Sequence, residues 1–177
     1  MGIEKSHPPV ILICGILAAN RILLDRALHL IQDEWGPLIS SSENIPFTFT
    51  EYYNKEMGTE IIRQYVCFER MIDPVEIFGI KRRSNQLEQR FISVSGRQVN
   101  LDPGYVTLAK LVLATTKDAS YRIYGGNGIY AETTLYFKAG TFCPFEWTYP
   151  DYEEQFAIDY FNSVRAEYKS RLNQLKA

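Results

Sequence analysis

Residues 9–17 read Pro9-Val10-Ile11-Leu12-Ile13-Cys14-Gly15-Ile16-Leu17, a run of apolar and β-branched side chains that carries no charge. Such a run is typical of a central strand that is covered on both faces. Asn20 can cap a helix that follows this strand, and Gly36-Pro37 can end it. Apolar residues at the 3, 4, 7 and 8 spacing of one helical face support the helix. These residues are Leu23, Leu24, Ala27, Leu28, Ile31 and Trp35.

The next stretch of the chain predicts a pair of strands. Residues 47–53, Phe-Thr-Phe-Thr-Glu-Tyr-Tyr, alternate like a strand after a Ser-rich loop. Residues 62–71 are the expected partner strand. Helix is the alternative for residues 56–64.

A second helix is predicted from its start signal, Asp73-Pro74-Val75-Glu76, and is expected to run to about Phe91. Asp at the cap, Pro in the first turn and Glu three residues after the cap are the residues that this position favours. A strand is expected to begin at residues 98–100 and to stop near Asp102-Pro103-Gly104, a turn tripeptide. The order of elements over the first hundred residues is then β-α-β-β-α-β.

The last third of the chain predicts a hairpin and a long helix. Residues 105–116 are apolar enough for either a helix or a buried strand, and the choice stays open. Residues 123–130 are typical of a hairpin, because the Gly and Asn residues supply the positive φ angles of tight turns, and a strand follows at 129–137. Asp151 is the expected cap of a helix that continues close to the C-terminus.

Together these elements predict the α+β class, with a ferredoxin-like β-α-β-β-α-β core, an added β-hairpin and a long C-terminal helix. Residues 1–177 are expected to form a single domain, because 177 residues with 46% hydrophobic side chains can bury one core of ordinary size.

Composition narrows the class of function. The chain has 19 basic and 21 acidic residues, so no long-range positive field favours a nucleic acid, and none is predicted as a partner. The three cysteines are far apart and form no CxxC pair, which predicts free thiols in the cytoplasm. The apolar run at 10–19 is shorter than the roughly 20 residues of a membrane span, so no membrane partner is expected. Cofactor, metal and oligomeric state are left open.

Glu132 is the first candidate for a functional residue, because it lies on the polar face of strand 129–137. Arg122, on the preceding strand of the hairpin, can reach that face, although the sequence does not fix the turn register. A cross-strand ion pair is the simpler interpretation. The functional interpretation joins both residues with other charged residues in one cleft for a phosphate or a hard metal ion. The other residues of that cleft are Asp102, Lys110, Lys117, Asp118 and Asp151.

A second candidate group contains Glu51, Tyr52, Tyr53 and Glu56. Two carboxylates near a strand end can hold a metal ion or divide acid and base roles. With no histidine or third ligand nearby in the sequence, solvated acids are the simpler interpretation.

Two common kinds of site find little support. The sequence Thr116-Lys117-Asp118 matches only part of the base-recognition motif of GTPases, and no Gly-rich phosphate loop ends in Gly-Lys-Ser/Thr. His7 lies near the N-terminus and His29 on the polar side of the first helix, so neither Ser-His-acid nor Cys-His catalysis is indicated.

Several long motifs follow one another along nearly the whole chain. They are Phe49 to Tyr53, Glu56-Met57-Gly58, Val99 to Tyr105, Lys110 to Asp118, Arg122-Ile123-Tyr124, Gly128 to Glu132 and Trp147 to Tyr152. Together these motifs resemble the bacterial and archaeal family numbered domain of unknown function 4416. The resemblance implies membership of that family but no particular activity.

The leading hypothesis is a small protein that binds a phosphorylated or nucleotide-like anion. Lys117 and Arg122 are expected to bind the anion, with Asn100 and Glu51 as further ligand-binding residues. Its stronger form is an enzyme of phosphoryl or phosphodiester chemistry, because charged residues in apolar strands need partners that a site can supply. The expected catalytic residues are Asp102, Asp118 and Glu132. The alternative is a noncatalytic protein-interaction module whose charged residues form structural ion pairs.

Overall fold

A computed structural model describes residues 2–175, with five α-helices and eleven strands in that part of the chain. The strands are β1 Val10–Ala18, β2 Leu38–Ser41, β3 Ile45–Pro46, β4 Ile62–Ile72, β5 Ile92–Ser93, β6 Gly96–Arg97, β7 Val99–Val106, β8 Lys110–Thr115, β9 Ile123–Gly126, β10 Ile129–Lys138 and β11 Thr141–Pro144. The helices are α1 Arg21–Trp35, α2 Asn54–Met57, α3 Glu76–Glu88, α4 Pro150–Glu153 and α5 Gln155–Gln174, and a 3₁₀ turn, Gln89–Phe91, follows α3.

Nine of the strands within residues 2–175 form one antiparallel sheet in the order β11-β10-β8-β7-β1-β4-β2, with β3 beside β4 and β9 beside β10. Strands β5 and β6 form a separate hairpin. The predicted α+β class and the long C-terminal helix are confirmed. The ferredoxin-like topology is not confirmed, because the main sheet has nine strands, more than that core with one added hairpin contains.

Strand β1 lies in the middle of this sheet, between β4 and β7, and all of its residues are buried. Side chains on successive residues point to opposite faces of a strand. Leu12, Cys14 and Ile16 therefore pack under α1 and α3, while Ile11 and Ile13 pack against α5. The central strand covered on both faces, predicted from residues 9–17, is confirmed.

The predicted signals at both ends of α1 and at the start of α3 are also confirmed. Asn20 caps α1 by accepting a hydrogen bond from the Leu23 N–H at 3.0 Å, and Gly36 ends it with a φ of 98°. Before α3, the Asp73 side chain accepts from the Val75 N–H, and the Glu76 carboxylate accepts from the Asp73 N–H. These reciprocal bonds satisfy N–H groups that have no partner inside the helix.

The sequence predicts Asp151 as the cap of the C-terminal helix, and this prediction is wrong. Asp151 lies in the short helix α4, where it is buried, and Glu154 holds the cap position of α5 without a side-chain hydrogen bond. The reason is a stronger partner for the Asp151 carboxylate, the guanidinium of Arg63 on β4.

The prediction of a strand at residues 47–53 is wrong. This segment has no ladder and leads into α2, and the Phe47 N–H bonds to the Ile61 carbonyl at 2.7 Å. The buried Phe47 packs in a small cluster with Leu17 and Met57. Aromatic packing, not strand pairing, accounts for the spacing of the aromatic residues. The predicted partner strand, by contrast, is present as β4. The alternative of a helix is therefore wrong for residues 62–64, where β4 begins.

Strand β7 continues through Asp102-Pro103-Gly104, where the sequence predicted a stop. Residues 105–116, left open between helix and strand, form the end of β7, a turn and β8. The predicted hairpin is confirmed as β9 and β10, with positive φ angles at residues 126–128. Within residues 2–175, no helix has the length and apolar character of a membrane span.

Candidate functional site

The main feature of the sheet that bears on function is a split between β7 and β8. The two strands pair only where residues 104–106 face residues 111–113. Beyond that point they separate, and a cavity of about 560 Å³ opens between them. Asn100 and Asp102 of β7 lie on one side of this cavity, and Ala114 and Thr115 of β8 on the other. We call this cavity the cleft.

Side chains of α3 replace the missing strand partner in the cleft. The Leu101 N–H donates to Glu88 Oε1 at 2.8 Å, and Lys81 Nζ donates to the Leu101 carbonyl oxygen at 2.6 Å. Buried backbone groups need such partners. Pro103, two residues further along β7, directs its nitrogen to the same side and has no N–H to offer β8. The split is therefore stable without a ladder.

The floor of the cleft depends on Gly15 of β1. A Cβ atom at this position would lie 2.5 Å from Tyr152 Oη and 3.0 Å from Arg63 Nη1, and both of these residues line the cleft. Only a residue without a side chain allows the phenol and the guanidinium to approach the centre of the sheet so closely.

We therefore expect Gly15→Ala to lower the free energy of unfolding by about 1–3 kcal/mol, the usual effect of overpacking a core. The matched control is Gly79→Ala, because no atom lies within 4 Å of the added Cβ at this exposed position of α3. The control is expected to stabilise the protein by roughly 0.5–1 kcal/mol through helix propensity. Urea unfolding of both variants checks this, and equal effects would contradict the close approach at Gly15.

Arg63 is the centre of a buried network of charges. Its guanidinium forms ion pairs with Asp151 at 2.7 Å and with Asp102 at 3.3 Å, and only 4% of its side chain is exposed. Tyr65 donates to Asp151 Oδ2 at 2.9 Å, and the guanidinium lies 5.5 Å from the centre of the Tyr152 ring. Such a charge is tolerated in a core because its partners replace water.

Two carboxyl groups of the cleft have pKa values that move in opposite directions. Burial raises the pKa of Glu88, and the ammonium of Lys81 only partly opposes this effect. Burial would also raise the pKa of Asp102, but Lys81 and Arg63 hold it below its ordinary value. The ionised form of Asp102 is therefore favoured by its surroundings, and 26% of its side chain is exposed.

The exposed residues Tyr52 and Lys117 form the mouth of the cleft, and an aromatic wall continues from Tyr52 to the buried Phe47. Phe47, Phe49, Tyr52 and Tyr53 line the wall. The Lys117 Nζ lies 4.4 Å from the centre of the exposed Tyr52 ring and 3.4 Å from its hydroxyl oxygen. Among residues 2–175, Lys117 has no carboxylate partner within 4.0 Å, whereas the other cations of the cleft, Arg63, Lys81 and Arg97, each have one.

The ion pair between Arg122 and Glu132 is present, with 2.6 Å between Arg122 Nε and Glu132 Oε2 and almost no exposure of either side chain. Arg122 lies just before β9 and not on it. Its other nitrogens donate to the Lys117 carbonyl at 3.0 Å and to the Tyr149 hydroxyl at 2.8 Å. Burial raises the pKa of Tyr149 to about 12, so this hydroxyl stays protonated. Arg122 thus supports two residues of the cleft from behind.

The cleft brings together four of the seven predicted site residues, namely Asn100, Asp102, Lys117 and Glu132. Glu51 and Asp118 are exposed and do not line it, and Arg122 is engaged behind it. The functional roles of all seven stay predictions.

Sequence reasoning missed Arg63, Lys81, Glu88 and Arg97 as residues of the cleft. Two signals point to three of them. Arg63 is a charge inside the apolar run of β4, and Lys81 and Glu88 lie seven residues apart on the buried stripe of α3, with Ile77, Ile80 and Leu87. Within the run Lys81-Arg82-Arg83, Lys81 is buried and Arg82 is exposed.

The residues of the cleft can provide acceptors for hydroxyl groups and donors for anions. Within residues 2–175, no group of three or more His, Cys, Asp or Glu side chains is arranged to hold a metal ion. Ligands from outside the chain would have to complete any such coordination.

The fold and the site define a mixed α+β protein with a buried, charged cleft where an antiparallel sheet splits. The chain belongs to the family described as Domain of unknown function (DUF4416), whose model matches residues 8–168. The resemblance inferred from the sequence motifs is thereby confirmed. Neither a curated protein nor a solved structure matches this chain.

Proposed function

We propose that the cleft binds a phosphorylated or nucleotide-like anionic small molecule. The observation that carries this proposal is Lys117, a cation at the mouth of the cleft that no carboxylate neutralises among the described residues. An ammonium without an ion-pair partner is an available point charge for phosphate. The volume of about 560 Å³ lies within the range of small-molecule sites.

Unpaired polar atoms of the cleft residues add support. Arg63 Nε, Asn100 Nδ2 and Tyr152 Oη are buried and make no hydrogen bond. The Asn100 amide helps to lower the pKa of Asp102, yet its Nδ2 makes no hydrogen bond of good geometry. Unmade hydrogen bonds of this kind are costly. A ligand group that enters the cleft and reaches such an atom after a small side-chain movement recovers that free energy.

The stronger form of the proposal is metal-assisted phosphoryl or phosphodiester chemistry. Asp102 is the carboxylate best placed to contact a bound ligand, because it is ionised and partly exposed in the cleft. Glu132 also lines the cleft but is held by Arg122, and Asp118 follows Lys117 at the rim. In this proposal the carboxylates bind a metal ion or ligand hydroxyls.

The alternative function is a noncatalytic protein-interaction module. The closed pair of Arg122 and Glu132 supports it, since both charges already have partners. In this case the aromatic residues around Tyr52 dock a protein partner, and the buried charges serve stability alone.

We also propose a ferredoxin-like core and a cytoplasmic location. The order β1, α1, β2, β4, α3, β7 along the chain, with both helices packed on one hydrophobic cluster, supports the core. The free thiols of Cys14, Cys67 and Cys143 support a reducing compartment.

A thermal-shift screen of the purified protein against nucleotides, sugar phosphates and divalent ions tests the proposed function. A ligand at 100 times its dissociation constant stabilises the folded state by about 2.7 kcal/mol. We expect one class of phosphorylated compound to raise the melting temperature. Lys117→Ala should abolish this rise. Lys138→Ala, which changes an exposed lysine outside the cleft, should preserve it. No shift with any compound would favour the interaction module.

A further inference from the structure

We infer that the ligand of the cleft is a phosphate monoester of a compound with several hydroxyl groups. Its phosphate binds at Lys117 in the mouth, and its hydroxyl groups bind at the buried end. This inference rests on the proposed function and adds the orientation and the chemical class of the ligand. Sugar phosphates and nucleoside monophosphates share this chemistry.

The buried end of the cleft is unfavourable for phosphate. Its three cations already face carboxylates: Arg63 pairs with Asp102 and Asp151, Lys81 with Asp102, and Arg97 with Glu56 and Glu88. Of these acids, Glu88, Asp102 and Asp151 line the cleft. A phosphate dianion placed among them would meet like charges in a poorly hydrated site, where repulsion is stronger than in water.

The mouth has the opposite character. Lys117 is exposed, and its ammonium lies beside the ring and the hydroxyl of Tyr52. Glu132, a carboxylate that lines the same cleft, is paired with Arg122. Arg122 also holds the Lys117 backbone through its carbonyl oxygen at 3.0 Å. Among residues 2–175, the ammonium of Lys117 thus has no carboxylate within 4.0 Å, and Arg122 holds the backbone that carries it.

The buried end suits hydroxyl groups because it contains both hydrogen-bond donors and acceptors. Carboxylate oxygens of Asp102 and Asp151 accept hydrogen bonds, while the Asn100 amide and the Arg63 guanidinium donate them. A hydroxyl group does both at once, whereas a phosphate dianion only accepts. Carboxylates that accept from ribose hydroxyls are the standard arrangement in dinucleotide sites.

Isothermal titration calorimetry with matched probes tests the orientation. The probes are ribose 5-phosphate, ribose, adenosine monophosphate and inorganic phosphate. We expect the phosphorylated sugars to bind at least tenfold more tightly than ribose or phosphate alone. Lys117→Ala should remove that tenfold advantage and leave the affinity for ribose unchanged, whereas Lys138→Ala should change neither.

Asp102→Asn should weaken binding of ribose and of ribose 5-phosphate alike. Because this change disturbs ion pairs to Arg63 and Lys81, a second measurement uses the unaltered protein. Ribose and inorganic phosphate should bind together, so that saturating one leaves the affinity for the other within about twofold. Mutual exclusion would overturn the two-part site.

Two outcomes separate this inference from the proposed function. One outcome is that inorganic phosphate binds equally well in Lys117→Ala but fails to bind in Arg97→Gln. The phosphate then lies at the buried end, so the inferred orientation is wrong although the cleft still binds an anion. If no phosphorylated compound binds at all, both the inference and the proposed function fail. Tighter binding of adenosine monophosphate than of ribose 5-phosphate would identify the nucleotide as the form of the monoester that is bound.

Discussion

Replacing Arg63 with leucine is expected to lower the free energy of unfolding by about 3–5 kcal/mol, the usual effect of breaking a buried ion pair from one side. The change leaves Asp151, with 3% of its side chain exposed, without its closest cation at 2.7 Å, and it removes one cation from Asp102. Urea unfolding of the variant and of the unaltered protein measures this loss.

The matched control is Arg70→Leu, on the same strand. Arg70 pairs with Glu76 at the same distance of 2.7 Å, but 41% of each side chain is exposed. Exposed pairs contribute roughly 0–1 kcal/mol. Equal losses for the two variants would show that burial of Arg63 does not govern its contribution, and would contradict the network of charges under the cleft.

Glu132→Ala is expected to have an effect of the same size, about 3–5 kcal/mol, because it leaves the Arg122 guanidinium buried without its charge partner. The double change Arg122→Leu/Glu132→Leu should recover much of this loss, since no unpaired charge then remains. The measurement is urea unfolding of Glu132→Ala and of the double variant.

The same series separates stability from binding. Lys117→Ala and Asp118→Ala, at exposed positions, should change stability by less than roughly 0.5 kcal/mol. A Glu132→Ala variant that is as stable as these two would show that the ion pair is not a structural element. A stable double variant that no longer binds ligand would assign the pair a role in holding Lys117.

Those parts of the fold that local patterns specify could be predicted from the sequence. The buried run at 9–17, the cap at Asn20 and the turn glycines of the β9–β10 hairpin each act within a few residues. The family was recognisable because its motifs extend along nearly the whole chain, and the match to residues 8–168 confirms this.

Elements that depend on distant residues could not be predicted. The aromatic residues at 47–53 alternate as in a strand, but Phe47 is drawn into a cluster with Leu17 that no local rule reveals. The split beyond Gly104 exists because Glu88 and Lys81, from a helix earlier in the chain, satisfy the backbone of Leu101. Tertiary contacts of this kind override strand and turn propensities.

The candidate site was found in part for the same reason. Asn100, Asp102, Lys117 and Glu132 attract notice as polar residues within or beside apolar strands, and the fold brings them to one cleft. Arg63 carries a similar signal, because it is a charged residue inside the buried run of β4. The pairing of charges depends on strand register, which the sequence does not fix. The sequence therefore could not show that Arg122 pairs with Glu132, whereas Lys117 has no ion-pair partner among residues 2–175.

The most direct test of the central claim is an amide NMR titration of the ¹⁵N-labelled protein with ribose 5-phosphate. Binding in the cleft predicts that the largest shifts fall on backbone amides at residues 100–102 and 114–117, which border the split between β7 and β8. Two results would contradict this claim. One is that the largest shifts fall on a separate surface hollow near Arg21 and Glu60. The other is that no phosphorylated compound causes localised shifts.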